Sequence, residues 1–208
     1  KVTGYQNDTT MTVKPISYSS KSLATAQTNN TNSAIKTTID NWYKNNLTAY
    51  TSKLADETFC NDRSISSGSG YLTSPTTYYR PFNSLYNKKT LSLKCIQSND
   101  KLKVANTSAT LDYPISLITA DETAMAGGVF DTANTNYYLY SGQSFYTLTP
   151  SYFDSGNSRA NVWTVQHSGV LDWYSVYFSF GVRPVINLKS DTLITKGDGS
   201  SLNPFTVS

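Results

Sequence analysis

The 208-residue sequence has few of the side chains on which most enzymes and metal sites depend. It contains one histidine and two cysteines, only 15% of its residues are charged, and its formal net charge is +3. A tetrahedral zinc site needs three or four nitrogen or sulfur ligands, so Cys60, Cys95 and His167 would all have to converge with a carboxylate. The modest charge also gives little to attract nucleic acid or an anionic membrane. We predict no bound metal and no nucleic-acid partner.

Motifs for cofactor binding and catalysis are also missing. Gly127-Gly128 follows a predicted helix, whereas the glycine-rich loops that bind phosphate precede one. His167 could join Asp154 or Asp172 in a Ser/His/Asp triad, but no G-x-S-x-G turn presents a nucleophile. We therefore predict a protein that is not an enzyme and has no cofactor, in which His167 is a contact residue or a satisfied polar group.

Two acidic turns raise the question of calcium. Asp154 is followed by Ser-Gly-Asn157, and Asp198 lies between two glycines. Calcium needs several converging oxygen ligands, and each turn offers too few. Asp and Asn side chains that bind their own backbone are typical of Asx turns, which we predict at both places.

The sequence also lacks any apolar run close to the roughly 20 residues that cross a bilayer, and it has no signal peptide. Its first residue is Lys1, so we expect either a processed protein or an excised piece of one, whose export or anchoring segment lay upstream. The polar residues are mainly Ser, Thr, Asn and Tyr, as is common in extracellular and cell-surface proteins. Cys60 and Cys95 form either one disulfide, which we favour, or two buried free thiols.

Two helices stand out. Ile35, Ile39, Trp42, Tyr43 and Leu47 fall on one helical face, which predicts a helix from Ser33 to Leu47 with Asn32 or Ser33 as its N-cap. Thr119 and Glu122 have the spacing of a capping box, which predicts a second helix over Ala120 to Ala126. Gly127 would end that helix in a left-handed conformation.

The remainder reads as strands and connections within a single α+β domain, residues 1–208. Residues 1–32 are polar and partly irregular, and Ser64 to Lys89 read as a long, partly irregular connection. Strands are predicted at Met11–Ile16, up to Cys60, and at Leu91–Ile96, Tyr137–Tyr140, Ser144–Leu148, Asn161–Val165 and Val182–Leu188, with a hairpin-like turn and a last edge strand in the tail.

The segment from Ser151 to Leu188 has the composition of a binding surface. Tyr and Trp provide contact area at low entropic cost, and Ser and Asn provide adaptable hydrogen bonds, as in antibody loops. Asp172-Trp173-Tyr174-Ser175 sets two large rings beside polar neighbours after a turn. We expect these rings to face solvent. The alternative is that they belong to the core of a β-rich domain.

Several segments in order resemble a known family: IDNWYKNNL, FCNDRS, YPISLITADETAMAGG, YYLYSGQSFYTLTPSYF and GVRPVINLKSD. They resemble cell-surface proteins of gut Firmicutes and related bacteria whose C-terminal domain is similar to the C-type lectin fold in its formylglycine-generating-enzyme-like variant. Family members look as if they follow a pilin-like N-terminal membrane segment. The resemblance runs from about Ile35 to the C-terminus.

The resemblance implies a C-type lectin-like fold, with two helices and a twisted, mainly antiparallel sheet. It also implies a ligand-binding region like the one that retroelements diversify in related proteins. Carried over by position, the ligand-contacting residues are Asn161, Thr164, Gln166, His167, Asp172, Trp173, Tyr174, Ser175, Tyr177 and Ser179. Those of the scaffold are Val162, Val165, Val176, Gly181, Val182, Arg183 and Pro184, with Arg183 tying the last strand to neighbouring carbonyls or an acid.

Two departures limit what the resemblance implies. Cys60 and Cys95 do not match the copper-binding cysteines of formylglycine-generating enzymes, and the calcium triplets of sugar-binding lectins are absent. The leading hypothesis is a non-catalytic module, monomeric when isolated, that binds a protein or glycan on another cell or host surface. The alternatives are a degenerate enzyme of the formylglycine-generating type and a pilin-like structural subunit.

Overall fold

A computed structural model of the protein describes Asn29 and residues 32–70, 74–157, 159–176, 178–200 and 202–207. This part of the chain is a mixed α+β structure with few helices. The α-helices are α1 (Ala34–Asn46), α2 (Arg80–Phe82) and α3 (Ala120–Met125), and α2 continues as a π-helical turn (Asn83–Asn87). Two 3-10 helices cover Thr48–Lys53 and Ser98–Asp100. None of the helices in these ranges is long and apolar enough to span a bilayer.

The strands are short except in the centre of the main sheet. They are β1 (Leu54–Ala55), β2 (Phe59–Cys60), β3 (Ile65–Ser67), β4 (Thr77–Tyr79), β5 (Lys101–Leu102), β6 (Ile115–Leu117), β7 (Val129–Phe130), β8 (Phe145–Asp154), β9 (Arg159–Val165), β10 (Val170–Ser175), β11 (Pro184–Leu188), β12 (Ile194–Lys196) and β13 (Thr206–Val207). The main sheet has the order β3-β4-β8-β9-β10-β7, and only β10 and β7 pair in parallel within it. Smaller sheets are β1-β11-β6, β2-β5 and β12-β13.

Both faces of the main sheet are covered. Successive residues of a strand point to opposite faces, and two neighbours on β9 belong to different buried clusters. On β9, Val162 belongs to one buried cluster together with Ile35, Ile39 and Tyr43 of α1. Its neighbour Trp163 belongs to a second cluster with Ala120 of α3. A sheet covered on both faces has no side that is wholly free for ligand, so its exposed side chains are those near strand ends and gaps.

Helix α1 begins as predicted. The Ser33 hydroxyl accepts a hydrogen bond from the Lys36 backbone N–H at 3.1 Å, so Ser33 and not Asn32 is the N-cap. Ile39 and Tyr43 are buried, but Trp42 is 44% exposed. The predicted apolar face is therefore wrong at Trp42, which lies at the margin of the stripe that packs on the core.

Helix α3 has the predicted capping box. The Thr119 hydroxyl accepts from the Glu122 backbone N–H at 3.1 Å, and Glu122 Oε2 accepts from the Thr119 backbone N–H at 2.8 Å. Gly127 ends the segment with φ +115°, a conformation that L side chains rarely adopt. These contacts give Glu122 a structural role, as the sequence indicated.

Cys60 and Cys95 are joined by a disulfide with a Cα–Cα distance of 5.6 Å, which excludes the free-thiol alternative. Close by, Arg63 Nε donates to Asp100 Oδ1 at 2.7 Å, and the Arg63 backbone N–H donates to Asp100 Oδ2 at 2.9 Å. Both side chains are buried. The covalent link and the ion pair join the same two parts of the chain. A disulfide is typical of an oxidising, extracellular environment.

Other elements differ from prediction. Leu91–Ile96 forms no strand, and Leu93 is 59% exposed. The segment is held instead by the disulfide and by contacts such as the hydrogen bond from the Ser92 backbone N–H to Asp121 Oδ1 at 2.7 Å. Tyr137–Tyr140 is a turn. The predicted irregular connection Ser64–Lys89 contains β3, β4 and α2. The tail hairpin is present as β12 and β13, and the predicted strand Met11–Ile16 lies outside the described residues.

Candidate ligand-binding surface

Six aromatic rings form a continuous patch on one face of the main sheet. We call it the aromatic strip: Tyr78, Phe82, Tyr86, Phe130, Tyr152 and Trp173. Neighbouring ring centroids in the strip are 4.6 to 6.0 Å apart, within the range for offset-stacked and edge-to-face aromatic contacts. Tyr86 is 39% exposed and Phe82 is buried, while the other four are half-buried.

Strand pairing and helical spacing bring one side of the strip together. Tyr78 on β4 lies opposite Tyr152 on β8 in the register of the sheet, and their ring centroids are 5.5 Å apart. Phe82 and Tyr86 follow in α2 and the π-helical turn, four residues apart, so they lie on the same side of that segment. The phenyl ring of Phe82 is 4.6 Å from that of Tyr78 and 5.0 Å from that of Tyr86.

Trp173 is the centre of the strip. Its ring contacts five others, and it stacks on Phe130 of the parallel strand β7 with centroids 4.9 Å apart and an interplanar angle of 8°. Beneath it, the fully buried Trp163 packs edge to face at 5.4 Å. Trp163 thus supports Trp173 from the core, and the partly exposed indole of Trp173 is held in one orientation.

Charged side chains lie at both ends of the strip. At one end, Lys89 Nζ lies 4.6 Å from the Phe130 ring centroid and 5.3 Å from that of Tyr86, the geometry of a cation–π contact. At the other end, Asp154 and Thr76 border a pocket of 290 Å³, whose remaining lining is Tyr78, Phe82, Tyr152 and Trp173.

Asp154 is held as an anion by its own turn. Its Oδ2 accepts from Asn157 Nδ2 at 2.6 Å, and its Oδ1 accepts from the Gly156 backbone N–H at 3.0 Å and the Asn157 backbone N–H at 3.4 Å. The Asx turn predicted here is confirmed. The hydrogen bond from the Asn157 side chain is the main reason that the pKa of Asp154 lies below its usual value. The pKa of the Tyr152 phenol is raised, first by burial and then by the Asp154 charge.

A second depression of 580 Å³ lies on the Lys89 side of the strip. Phe130, Leu171 and Lys89 line it together with Asp131. Asp131 also raises the pKa of Asp172, although burial of the Asp172 carboxyl is the larger cause. The strip is thus bordered by depressions at both ends and by charged groups that differ in sign.

Three residues of the predicted ligand-contacting set are buried in the structure. Asn161, Thr164 and Ser175 are at most 8% exposed. The Ser175 hydroxyl donates to Asn161 Oδ1 at 2.9 Å, and the Thr164 hydroxyl donates to the Asp172 carbonyl at 3.3 Å. These side chains lie inside a central pair of strands, β9 and β10, where both faces of the sheet are covered.

The other predicted contact residues are not brought together on one face. Trp173 joins the aromatic strip, whereas Tyr174 packs on the opposite face against Phe178 and Phe180, with centroids 5.5 and 5.3 Å away. Exposed members of the set are His167 and Ser179, half-buried ones are Gln166 and Asp172, and Tyr177 lies outside the described residues.

Three of the residues assigned to the scaffold by the resemblance are in the core. Val162, Val165 and Val176 are buried. An Arg183 guanidinium N–H donates to the Leu139 carbonyl, and the guanidinium lies 5.3 Å from the Phe145 ring centroid. The predicted structural role of Arg183 as a tie to a neighbouring carbonyl is confirmed.

Sequence reasoning missed four members of the strip, Tyr78, Phe82, Tyr86 and Phe130, and it included Tyr152 only within the broader segment Ser151–Leu188. One signal was present. Tyr78, Phe82 and Tyr86 recur every four residues, which is the spacing of a helical face. No comparable signal marks Phe130 or Tyr152, because only the long-range pairing of β7 with β10 and of β4 with β8 places them.

No group of three His, Cys, Asp or Glu side chains within the described ranges is placed to hold a metal ion. His167 donates its backbone N–H to the Ser144 hydroxyl at 2.9 Å.

In comparisons with known proteins, no family model, curated protein or solved structure matches the chain. The aromatic strip is therefore assigned as the candidate site from its geometry alone.

Proposed function

We propose that the protein is a non-catalytic recognition module that binds a protein or glycan partner outside the cell through the aromatic strip. The observation that carries the proposal is the partly exposed strip itself, with Trp173 at its centre and charged groups at both ends. Tyr and Trp are enriched among the residues that dominate binding energy at interfaces. The proposal keeps Trp173 from the set predicted by sequence and moves the surface toward Tyr86 and Tyr152.

The rigidity of the strip favours recognition over simple packing. Trp173 is held by Phe130 and Trp163, and Tyr86 is held by Phe82 and Lys89. Side chains that are ordered before binding lose little entropy when a partner arrives, so more of the contact energy appears as affinity. The disulfide supports an extracellular location.

A cell-binding assay tests the proposal. Labelled wild-type protein is applied to intact cells from mixed bacterial and host sources, and parallel samples are pretreated with protease or periodate to remove proteins or glycans. We expect Tyr86→Ala and Trp173→Ala to lose binding by about 2 kcal/mol, the size of an interface hot spot. Trp42→Ala and Tyr138→Ala are matched controls, because these rings are 44% and 73% exposed and lie outside the strip.

Binding by the control variants should equal that of wild type. If the strip variants bind as well as the controls while circular dichroism shows all four folded, the proposal is wrong. The pretreatments decide the class of partner, since protease sensitivity indicates a protein and periodate sensitivity indicates a glycan.

The resemblance stated above supports a finer proposal, a C-type lectin-like fold with a region diversified by a retroelement. Burial of Asn161, Thr164 and Ser175 removes these three positions from the region proposed to vary, because varied side chains there would disturb the packing of β9 and β10. The test is genomic. A near-copy of the segment coding for residues 160–181, differing mainly at adenines and adjacent to a reverse-transcriptase gene, supports diversification. Relatives whose differences do not cluster in this segment contradict it.

The C-terminal hairpin favours a second candidate function, self-assembly as a structural subunit. Strands β12 and β13 pair only with each other among the described residues, and they leave Ile194 61%, Leu202 97% and Phe205 47% exposed. Apolar side chains and open strand edges of this kind promote association. Light scattering over a concentration range should show oligomers that Ile194→Lys dissociates. A monomer at every concentration excludes this function.

A further inference from the structure

The pocket at the Asp154 end of the strip has four aromatic walls and one acidic edge. Its rings are Tyr78, Phe82, Tyr152 and Trp173, and its volume is 290 Å³. Pockets for drug-sized ligands span about 300 to 1,000 Å³, so this one suits a small head group. The centroids of Tyr78 and Phe82 are 5.5 and 5.6 Å from that of Tyr152, so the rings pack against one another and together form a continuous aromatic lining.

We infer that this pocket binds a methylated quaternary ammonium group, as found in trimethylammonium head groups. The inference rests on the proposed function, because such a group would be carried by the partner that contacts the strip. The charge and the wall chemistry of the pocket support it, and they distinguish a cation from a neutral apolar group of the same shape.

Aromatic rings attract cations because the face of the ring carries partial negative charge. Aromatic cages are the usual arrangement that recognises quaternary ammonium ligands, and a carboxylate at the edge adds Coulomb attraction for the cation. The strip already shows this chemistry at its other end, where Lys89 lies over the Phe130 and Tyr86 rings. The Asp154 end has the rings and an anion, but its pocket is lined by no cationic side chain.

The acceptors of the pocket favour a methylated cation over a primary ammonium. A primary ammonium has three N–H donors that need acceptors, whereas a quaternary ammonium has none. Asp154 already accepts three hydrogen bonds from Gly156 and Asn157, and a carboxylate has about four lone-pair positions. It therefore supplies charge with little remaining hydrogen-bonding capacity.

One cationic side chain lies near the pocket. Arg159 is paired with Asp154 across β8 and β9 and is exposed, and its charge is the smallest of the effects on the Asp154 carboxyl. The Asp154 charge is also felt by the Tyr152 phenol, which lines the same pocket. The negative potential therefore reaches the aromatic walls where the cation would lie.

Binding of choline to the full chain tests the inference directly. The neutral isostere 3,3-dimethyl-1-butanol has the same shape without the charge, and butylamine has the charge with N–H donors. In an NMR titration we expect choline to bind about ten-fold more tightly than the isostere, as several cation–π contacts would give, and also more tightly than butylamine. The indole N–H signal of Trp173, assigned with Trp173→Phe, should shift, while that of the exposed Trp42 should not.

Matched variants localise the effect. Asp154→Asn should weaken choline binding about five-fold, the size of one exposed ion pair. Asp198→Asn is the control, because Asp198 Oδ1 accepts from the Ser200 backbone N–H at 2.9 Å in a similar turn far from the strip. Tyr78→Phe keeps the ring and should keep binding, whereas Tyr78→Leu should reduce it.

Equal affinity for choline and the neutral isostere, tighter binding of butylamine, or no binding at all overturns the inference. All three results are measured on the wild-type chain, so they do not depend on whether a variant folds. The proposed function fails separately, if the Tyr86 and Trp173 variants bind cells normally. Cell binding that needs these residues but is not inhibited by choline leaves the proposed function in place and removes the inference.

Discussion

Trp173 lies directly opposite Trp163 in the register of β10 and β9, and the two indole rings meet edge to face with centroids 5.4 Å apart. Trp163 is fully buried, whereas Trp173 is half-buried within the aromatic strip. One cross-strand pair therefore connects the core to the candidate binding surface. The two tryptophans should differ in what they contribute.

Replacement of each tryptophan by alanine should separate stability from binding. We expect Trp163→Ala to lower the free energy of unfolding by about 3 to 5 kcal/mol, as for buried aromatic side chains elsewhere. Trp173→Ala should cost about 1 to 3 kcal/mol, and the exposed Trp42→Ala about 1 kcal/mol or less. Urea denaturation followed by circular dichroism measures all three. A larger loss for Trp173 than for Trp163 would contradict the assignment of core and surface.

The secondary structure could be predicted where local chemistry determines it. Ser33 caps α1, and Thr119 with Glu122 caps α3, because these contacts are made within one turn of helix. The cysteine pair was predicted because an even pair in a chain of this composition favours a disulfide.

The binding surface was predicted only in part, because it depends on contacts between distant segments. The sequence predicts that Asp172-Trp173-Tyr174-Ser175 faces outward after a turn. In the structure it belongs to a central strand, whose alternate side chains point to opposite faces. Trp173 and Tyr174 are therefore separated by the sheet. Tyr86 and Phe130 meet at 4.9 Å only because the π-helical turn packs against the edge strand β7 of the main sheet.

The buried pair of Arg63 and Asp100 gives a second prediction. Asp100→Ala should lower the free energy of unfolding by about 3 to 5 kcal/mol, since it leaves the Arg63 charge buried without its partner. The double variant Arg63→Met, Asp100→Leu should lose less stability than the single variants Arg63→Met and Asp100→Leu lose in sum. A double-mutant cycle in urea would show this difference. Additive losses would mean that the two side chains do not interact.

The pH dependence of this pair follows from the raised pKa of Asp100, for which burial is the main cause and the Arg63 charge an opposing one. A carboxyl whose pKa is higher in the folded state binds its proton more tightly there. Its contribution to stability is therefore fully present at low pH, and it declines as the pH rises from about 4, the unfolded value, through the folded pKa. Asp100→Asn should remove this slope from stability measured between pH 3 and 7.

The disulfide should contribute mainly by restricting the unfolded chain. It links residues 35 apart, and a loop of that size corresponds to about 4 kcal/mol in the chain-entropy treatment. The double variant Cys60→Ser, Cys95→Ser should therefore lower the free energy of unfolding by about 4 kcal/mol. This loss would be measured as a lower midpoint of urea unfolding. The same loss should follow when wild type is reduced with dithiothreitol, whereas the double variant should be insensitive to the reductant. A variant as stable as oxidised wild type would show that noncovalent contacts, such as the Arg63 and Asp100 pair and the pairing of β2 with β5, suffice to hold the two segments.

Choline binding should respond to pH through Asp154. The pKa of this carboxyl is lowered in the folded protein, so the charge that attracts the cation persists from neutral pH to below the usual value of about 3.9. Affinity should be constant from pH 8 to 5 and should fall only below about pH 4. Because a lowered pKa stabilises the folded state only above the unfolded value, turn stability is lost over the same acidic range. Asp154→Asn should abolish the pH dependence of choline affinity, and a decline already between pH 7 and 6 would contradict the role of Asp154.

The most direct measurement of the central claim, that the aromatic strip contacts the partner, is site-specific photo-cross-linking on intact cells. A photoreactive benzoyl-phenylalanine is placed at Tyr86 in one sample and, as a control, at Tyr138, which is 73% exposed but outside the strip. After irradiation we expect a covalent adduct at position 86 and none at position 138. Adduct formation only at position 138, or at neither position although the cells are bound, would contradict the assignment of the strip as the binding surface.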